Sequence, residues 1–494
     1  MHHPVNPGIF PNPRACCSIC KSVAGWDMRP AIAASVLAVL SLGLQETSSQ
    51  SSWLHGSENG SGNGVAIYDP NPTHLWNRLH SAIFVRPDVP STAKVPDALD
   101  PPLWSNTQYL LGQPSHDRVI RILDEFLQTH GERLIRDPVK RAILQRDLWS
   151  VFDWSITREP GQLGTPRYEE EKHELQSRLA ELMRRIALTP EEIRALPSNY
   201  EQAVASGQFA KEYDPAHPDR PFLPPDLFNS YSSWVGISGD GPTSDPVAVQ
   251  HVYAFSRSNF SIYMRLPGGR KATYEYLQSL WDFPQPWIPR PDDERHEQTS
   301  ENPALPQFPA GTEVALVRQM LLIDTQGNLE SPPITESIQI RVYRSVNATD
   351  HASGETAATL AEASKNSGQD FYQIRLSRPQ LFANRAGGLR ATERDEREFS
   401  MFNSFGPDEG SPAQYISLDK YQPMLQQCFM CHRHPGINSL NSRGRLLKPN
   451  WLQHDYPAPE NPGPNSWSYE DTNWKQNRYD WGLLSGYWKA VATH

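Results

Sequence analysis

The chain has 494 residues and a formal net charge of −10, so nucleic acids and anionic membranes are poor candidates for partners. Its length is sufficient for two or three domains. Proline is frequent, at 45 residues, which predicts long ordered loops and few long helices.

An uncharged apolar run, residues 31–44, lies close to the N-terminus. It is too short to cross a bilayer comfortably, because a membrane-spanning helix needs about 20 apolar residues. Its length and the preceding Arg29 are typical of a signal peptide, which we predict over residues 1–45. Met28 is an alternative start of the protein. Once the segment is removed, the exported chain keeps two cysteines, both near the C-terminus, and no transmembrane segment.

The next two stretches differ in composition. Residues 46–112 begin rich in Ser, Gly and Asn and continue rich in Pro, which predicts a flexible linker. In residues 113–205, apolar side chains recur at helical spacing. Asp137 before a proline, and Thr189 three residues before Glu192, are residue types that begin helices. We therefore predict a helical region whose apolar stripes pack into a core.

Residues 206–395 change to alternating apolar and polar side chains, the two-residue period of a β-strand. A turn-forming run at residues 324–328 follows one of these segments and indicates antiparallel pairing. The predicted strands cover residues 249–255, 260–266, 313–323, 337–344 and 371–377.

The pattern as a whole predicts an α+β fold. A helical N-terminal block is followed by a mainly antiparallel β middle region and by a small α-helical segment over residues 396–494. Near the end of the chain, Trp474, Trp481 and Trp488 recur every seven residues, which predicts one face of a C-terminal helix.

One motif in the chain carries a chemical mechanism: C-x-x-C-H, which is CFMCH at residues 428–432. Nucleophile-elbow, phosphate-loop and zinc-protease motifs are absent from the sequence. Two thiols three positions apart on one helical turn can add across the two vinyl groups of one haem, and the next histidine then faces the iron. Chance would give this string about 0.002 times in a chain of this composition, so the motif indicates a covalent haem site.

Two other uses of these side chains stay open. One is a redox-active or structural disulfide between Cys428 and Cys431, although no thioredoxin-like pattern surrounds the pair. The other is a zinc ion held by Cys428, Cys431 and two of His432, His434 and His454. Thiolates in an oxidising compartment are a poor place to keep zinc, so haem is the preferred interpretation.

The segment resembles the c-type cytochromes, firmly in the motif and loosely over about 90 residues. The resemblance implies one haem c, bound through thioethers to Cys428 and Cys431, with His432 as the proximal iron ligand. It also implies electron transfer with redox partner proteins. Haem attachment takes place on the exported side of the bacterial membrane, so a periplasmic or extracellular location is expected, in agreement with the signal peptide.

The chain departs from that family in the distal iron ligand, because no methionine follows Met430. The remaining candidates are His454, His434, Met401 and Met424. His434 lies only two residues beyond the proximal histidine and cannot easily reach the opposite side of the ring. We prefer His454, because the 21 residues between it and the proximal histidine are long enough to wrap around the haem edge. Ligation by two histidines would lower the reduction potential relative to histidine and methionine.

The sequence therefore predicts an exported c-type cytochrome-like protein that uses one covalent haem for electron transfer. A haem-dependent, peroxidase-like oxidoreductase is the first alternative, and a vacant distal position on the iron would permit it. A zinc-stabilised binding module without redox activity is the second.

Overall fold

The computed structural model combines helices with a mainly antiparallel sheet, which confirms the α+β prediction. The residues that it describes belong to one compact unit, Ser61–His494. They are residues 66–84, 110–111, 114–156, 166–238, 248, 251, 257–289, 299–346, 368–393, 396–399, 421–423, 425, 428, 432, 436–440, 448–449, 472 and 474–492. The predicted signal peptide and the predicted ligands Cys431 and His454 lie outside these residues.

The elements are numbered in chain order. The helices are α1 Leu75–Phe84, α2 Pro114–Gln128, α3 Pro138–Ile156, α4 Pro166–Arg185, α5 Pro190–Arg194, α6 Asn199–Ala205, α7 Gly269–Trp281, α8 Arg378–Phe382 and α9 Tyr479–Ala492. The strands are β1 Val235–Ser238, β2 Ser258–Arg265, β3 Trp287–Pro289, β4 Thr299–Glu301, β5 Thr312–Met320, β6 Leu322–Ile323, β7 Leu329–Glu330, β8 Thr335–Tyr343, β9 Gln369–Leu376, β10 Leu389–Ala391, β11 Arg397–Phe399, β12 Tyr421–Pro423 and β13 Lys448–Pro449. Among the described helices, none has both the length and the apolar composition that crossing a bilayer requires.

Local side-chain chemistry begins the helices where the sequence predicts. Asp137 Oδ1 accepts hydrogen bonds from the backbone N–H groups of Val139 (2.8 Å) and Lys140 (3.1 Å) at the start of α3. Thr189 and Glu192 form a reciprocal capping box at the start of α5, with distances of 2.8 and 3.1 Å. Each contact satisfies backbone donors that the first helical turn leaves without a partner inside the helix.

Part of the predicted linker is instead a buried helix. Helix α1 lies within residues 46–112, and its Trp76, Leu79 and Ile83 are fully buried in the main core. The three side chains are spaced three and four residues apart, which aligns them on one helical face. The prediction of a linker here was wrong because the polar and proline-rich residues on both sides outweighed this short stripe.

Seven strands form the central sheet, in the order β10-β9-β8-β5-β2-β1-β13, and each pairs antiparallel with its neighbour. Four of the predicted strands correspond to β2, β5, β8 and β9, and the end of the predicted segment 313–323 forms the separate short strand β6. Asp324 closes the predicted turn by accepting hydrogen bonds from Gln326 N and Asn328 N, both at 2.8 Å. Only His251 of the predicted strand 249–255 is described, and it has a helical conformation.

The two faces of the sheet differ in character. Ile338, Ile340 and Val342 of β8 point to one side and share the main core with helical residues such as Trp149 and Phe152. Strand alternation sends the side chains between them to the opposite side. The helical block therefore covers one face, and the residues on the other face are available to build a site.

The three regularly spaced tryptophans do not share one helical face. Trp481 and Trp488 of α9 lie in the main core, where the ring centres of Trp149 and Trp481 are 6.0 Å apart. Trp474 precedes α9 and packs instead with a small apolar cluster that includes Phe260. The sequence period predicted the helix correctly, but the helix begins only at Tyr479.

A buried ion-pair cluster connects α9 to the helical block. Lys475 is fully buried, and its Nζ lies 2.6 Å from Asp480 Oδ2 and 3.6 Å from Asp153 Oδ2. Arg478 Nε lies 3.2 Å from Asp480 Oδ1. Burial raises the pKa of Asp480, but the positive charges of Lys475 and Arg478 outweigh burial and hold the pKa below its ordinary value of 3.8.

The pKa of Asp480 gives a prediction for the acid side of the stability profile. Because the folded-state pKa lies below the unfolded one, the carboxylate contributes its full stabilisation above about pH 5 and loses it as pH falls through the folded-state pKa. We expect Asp480→Asn to lower the free energy of unfolding by about 1–3 kcal/mol at pH 7. Urea unfolding of both proteins should show this difference shrinking at pH 3. If the difference in unfolding free energy between the two proteins did not change with pH, the lowered pKa of Asp480 would be contradicted.

Candidate cofactor site on the central sheet

Polar side chains occupy the middle of the sheet on the face that points away from the helical block. Gln339 and Arg341 of β8 belong to this strip, and Gln373 and Gln369 of β9 lie opposite Gln339 and Tyr343. All of these side chains are buried. Buried polar groups require hydrogen-bonding partners, and the segment that carries the C-x-x-C-H motif provides several of them.

The motif segment lies across this polar strip. Leu425, Cys428 and His432 each have a helical conformation, and Leu425 is buried. Gln339 Nε2 lies 3.6 Å from Cys428 Sγ and 3.3 Å from Gln373 Oε1. The first thiol of the motif is therefore anchored against the sheet.

The residues just before the motif segment are extended rather than helical. Residues Tyr421–Pro423 form strand β12, which pairs antiparallel with β11. Leu425, two residues after the strand, is helical and buried. A proline at the end of β12 agrees with this boundary, because the interior of a helix does not tolerate proline.

His432 is held in a defined tautomer. Its Nδ1 lies 2.7 Å from the backbone oxygen of Ser439 and 3.2 Å from Arg341 Nη1. A carbonyl oxygen only accepts and a guanidinium only donates, so Nδ1 can satisfy one of these neighbours. The shorter contact requires a hydrogen on Nδ1, which His432 donates to Ser439. The lone pair of the ring is then on Nε2, the nitrogen that remains for a metal ion.

The turn that presents Ser439 is itself fixed. A 3-10 turn covers Gly436–Ser439, and Gly436 has a φ of 55°, a left-handed conformation that favours glycine. Gln307 Oε1 accepts from Ile437 N at 2.9 Å, and Ser439 Oγ lies 2.5 Å from Tyr343 Oη. Gln369 Nε2 also donates to the backbone oxygen of the motif histidine, at 2.7 Å. The segment around His432 is thus tied to two neighbouring strands.

A second imidazole, that of His251, lies beside His432. The two ring centres are 6.2 Å apart and the ring planes differ by 11°. Burial, followed by the positive charge of Arg341, lowers the pKa of His432 well below 6.5, and burial with Arg341 and Arg318 lowers that of His251 to about 4. Both rings are therefore neutral at pH 7, which is the form that binds metal ions.

Both rings also keep part of their surface accessible, although they lie deep enough for burial to dominate their pKa values. The side of His251 is apolar: the ring centre of Phe260 is 5.7 Å away, and Phe260 packs with Ala248, Leu316 and the half-buried Trp474. A neutral imidazole beside apolar walls suits a large flat cofactor better than a hydrated ion.

Arg341 contributes a buried positive charge to the same place. It is 5% exposed, and burial lowers its pKa. Its contacts are with the Ser439 backbone and hydroxyl oxygens, the His432 ring and the Tyr343 ring. Within the described ranges, Arg341 makes no ion pair with a carboxylate. A buried cation of this kind is costly without an anion, so the site favours a ligand that carries negative charge.

Of the predicted site residues, the structure therefore describes Cys428 and His432 and places both against the sheet. Cys431 and the predicted distal ligand His454 lie outside the described residues and stay predictions. Sequence reasoning missed His251, because a single histidine in a predicted strand carries no spacing signal that connects it to a motif more than a hundred residues later. It also missed Arg341, whose place in a strand looked like an ordinary polar position.

The chain matches no protein-family model, no curated protein and no solved structure. In the part of the chain that the structure describes, no group of three or more His, Cys, Asp and Glu side chains is arranged to hold a metal ion. That finding does not include Cys431, so it leaves a zinc site with two thiolates untested.

Proposed function

We propose that the protein is a c-type cytochrome-like electron carrier with one covalently attached haem. Cys428 and Cys431 would hold the haem through thioethers, and His432 would bind its iron through Nε2. A bound haem supplies reversible one-electron oxidation and reduction of its iron. The protein's own contribution is to attach the group, orient it and exclude water.

One observation carries the proposal: the 2.7 Å contact of His432 Nδ1 with the Ser439 backbone oxygen. A metal-binding histidine usually donates its second ring N–H to a carbonyl or carboxylate, which fixes the ring and raises the basicity of the ligating nitrogen. Here the histidine that does so follows directly after the second thiol of the motif.

Three further features support haem as the group. The first motif thiol contacts the sheet through Gln339, the neighbouring walls are apolar, and Arg341 offers a buried positive charge. Haem has an apolar ring and two carboxylate side chains, so it complements both kinds of surface. A zinc ion needs neither the apolar wall nor the cation.

The proposal includes export and redox partners. Covalent haem attachment takes place on the exported side of the bacterial membrane, which agrees with the apolar run at residues 31–44. Electron donors and acceptors would be proteins of the periplasm or the cell exterior. The chain's net charge of −10 favours partners with a basic docking surface.

Production of the chain with and without cytochrome c maturation machinery tests the proposal. We expect coloured protein only with the machinery, with a pyridine haemochrome spectrum typical of two thioethers and iron in equimolar amount by elemental analysis. Equimolar zinc in a colourless protein would contradict the haem and support the zinc alternative. Protein free of both metals, with the two motif thiols joined, would support the disulfide.

A further inference from the structure

We propose that His251 is the distal axial ligand of the iron, opposite His432. This inference rests on the proposed haem, but it concerns a residue that lies far from the motif in the sequence. It replaces His454, the ligand preferred from sequence spacing, with a side chain that the structure brings next to the proximal histidine.

The separation of the two rings is the first argument. An imidazole nitrogen lies about 2.0 Å from a bound metal ion and about 1.1 Å from its own ring centre, so two imidazoles on opposite sides of one ion have centres about 6.2 Å apart. The observed separation of His251 and His432 is 6.2 Å. The same two ligands at a tetrahedral angle would have centres about 5.1 Å apart.

The orientation of the rings is the second argument. Their planes differ by 11°, so the two imidazoles are nearly parallel. Rings packed directly face to face lie about 3.5–4.0 Å apart, the contact distance of carbon atoms, and the observed separation is much larger. Nearly parallel planes at this separation allow the two imidazoles to share one metal ion between them.

The hydrogen bonds of the proximal side give the third argument. Nδ1 of His432 is used by Ser439, so the ring can bind a metal ion only through Nε2. His251 comes from another part of the chain, and its ring centre lies 5.7 Å from that of Phe260 in β2. Two separately anchored imidazoles can hold an iron at a fixed coordination number, which suits electron transfer better than catalysis at a vacant position.

The test uses the full-length protein produced with the maturation machinery, so that the haem stays attached through its thioethers in every variant. We expect the ferric wild type to be low-spin by electron paramagnetic resonance and His251→Ala to be high-spin, with its haem content unchanged. Added imidazole should return His251→Ala to the low-spin state. We expect His251→Met to stay low-spin, to gain the absorption band of a sulfur–iron bond and to have a raised reduction potential.

Two control variants accompany the test. His217 is exposed and bonded to Asp214, and His217→Ala is expected to leave the spectrum of the wild type unchanged. His454→Ala is expected to do the same. A low-spin His251→Ala, or a high-spin His454→Ala, would overturn the assignment of His251 while leaving the haem in place. If His251→Ala does not fold, His251→Met tests the assignment of His251 as the distal ligand. A spectrum of that variant without the sulfur–iron band would overturn the assignment. A wild type without haem would overturn the proposed function itself.

Discussion

Alanine at both Cys428 and Cys431 is expected to abolish covalent haem attachment completely and to leave a folded, colourless protein. The two thiols are the attachment points that the motif provides, so no thioether can form without them. Each single variant keeps one thiol, and we expect it to carry haem with one vinyl group intact, which shifts the haemochrome band. Haem staining after denaturing electrophoresis measures the covalent attachment.

The chain provides a matched control in its first three cysteines. Alanine at Cys16, Cys17 and Cys20 together is expected to leave haem attachment unchanged, because these residues lie in the predicted signal segment. Circular dichroism of the double variant should show an intact fold, since the main core lies on the other face of the sheet. Haem that stays covalently bound in the double variant would show that the motif is not the attachment site.

The second large effect is expected for Glu336→Gln, which removes a buried charge while preserving the shape of the side chain. Glu336 accepts from Arg146 Nε and Ser258 Oγ, both at 2.6 Å, and its Oε2 lies 2.6 Å from Arg318 Nε. Arg146 belongs to α3, so the carboxylate joins the helical block to the sheet. Without it, two buried guanidinium groups lose their counter-charge, and we expect a loss of about 3–5 kcal/mol in the free energy of unfolding.

An exposed ion pair gives the comparison for this variant. Glu191 pairs with Arg194 at 2.7 Å, and both side chains are largely exposed. Glu191→Gln should lower the free energy of unfolding far less than Glu336→Gln, because water screens the exposed pair. Urea unfolding followed by fluorescence and by circular dichroism measures both variants and checks that the two probes agree. Equal losses in the two variants would mean that the buried cluster contributes no more than a surface pair.

The fold was predictable where local chemistry decides it. Asp137 and Thr189 begin their helices through side-chain hydrogen bonds to the next few backbone N–H groups, so the sequence around them contains the whole signal. The alternation from Phe260 onwards predicted β2 for the same reason. Helix α1 was missed, because burial by distant helices makes it stable and its own short stripe gives little signal.

The candidate site was also predictable only where local sequence decides it. Cys428, Cys431 and His432 were found because the attachment chemistry demands a fixed spacing within five residues. Arg341 was not found from the sequence, because a polar residue between buried isoleucine and valine residues normally marks the solvent face of a strand. The motif segment covers that face here, so Arg341 is buried. His251 likewise becomes a candidate only after the chain has folded.

Mass spectrometry of the peptide that contains residues 428–432 tests the central claim most directly. The protein should be produced with the maturation machinery, purified, denatured and digested before the measurement. We expect this peptide to carry the added mass of one haem and to have no thiol that an alkylating reagent can modify. A peptide with the unmodified mass, whether its thiols react with the reagent or are joined to each other, would contradict a c-type haem in this protein.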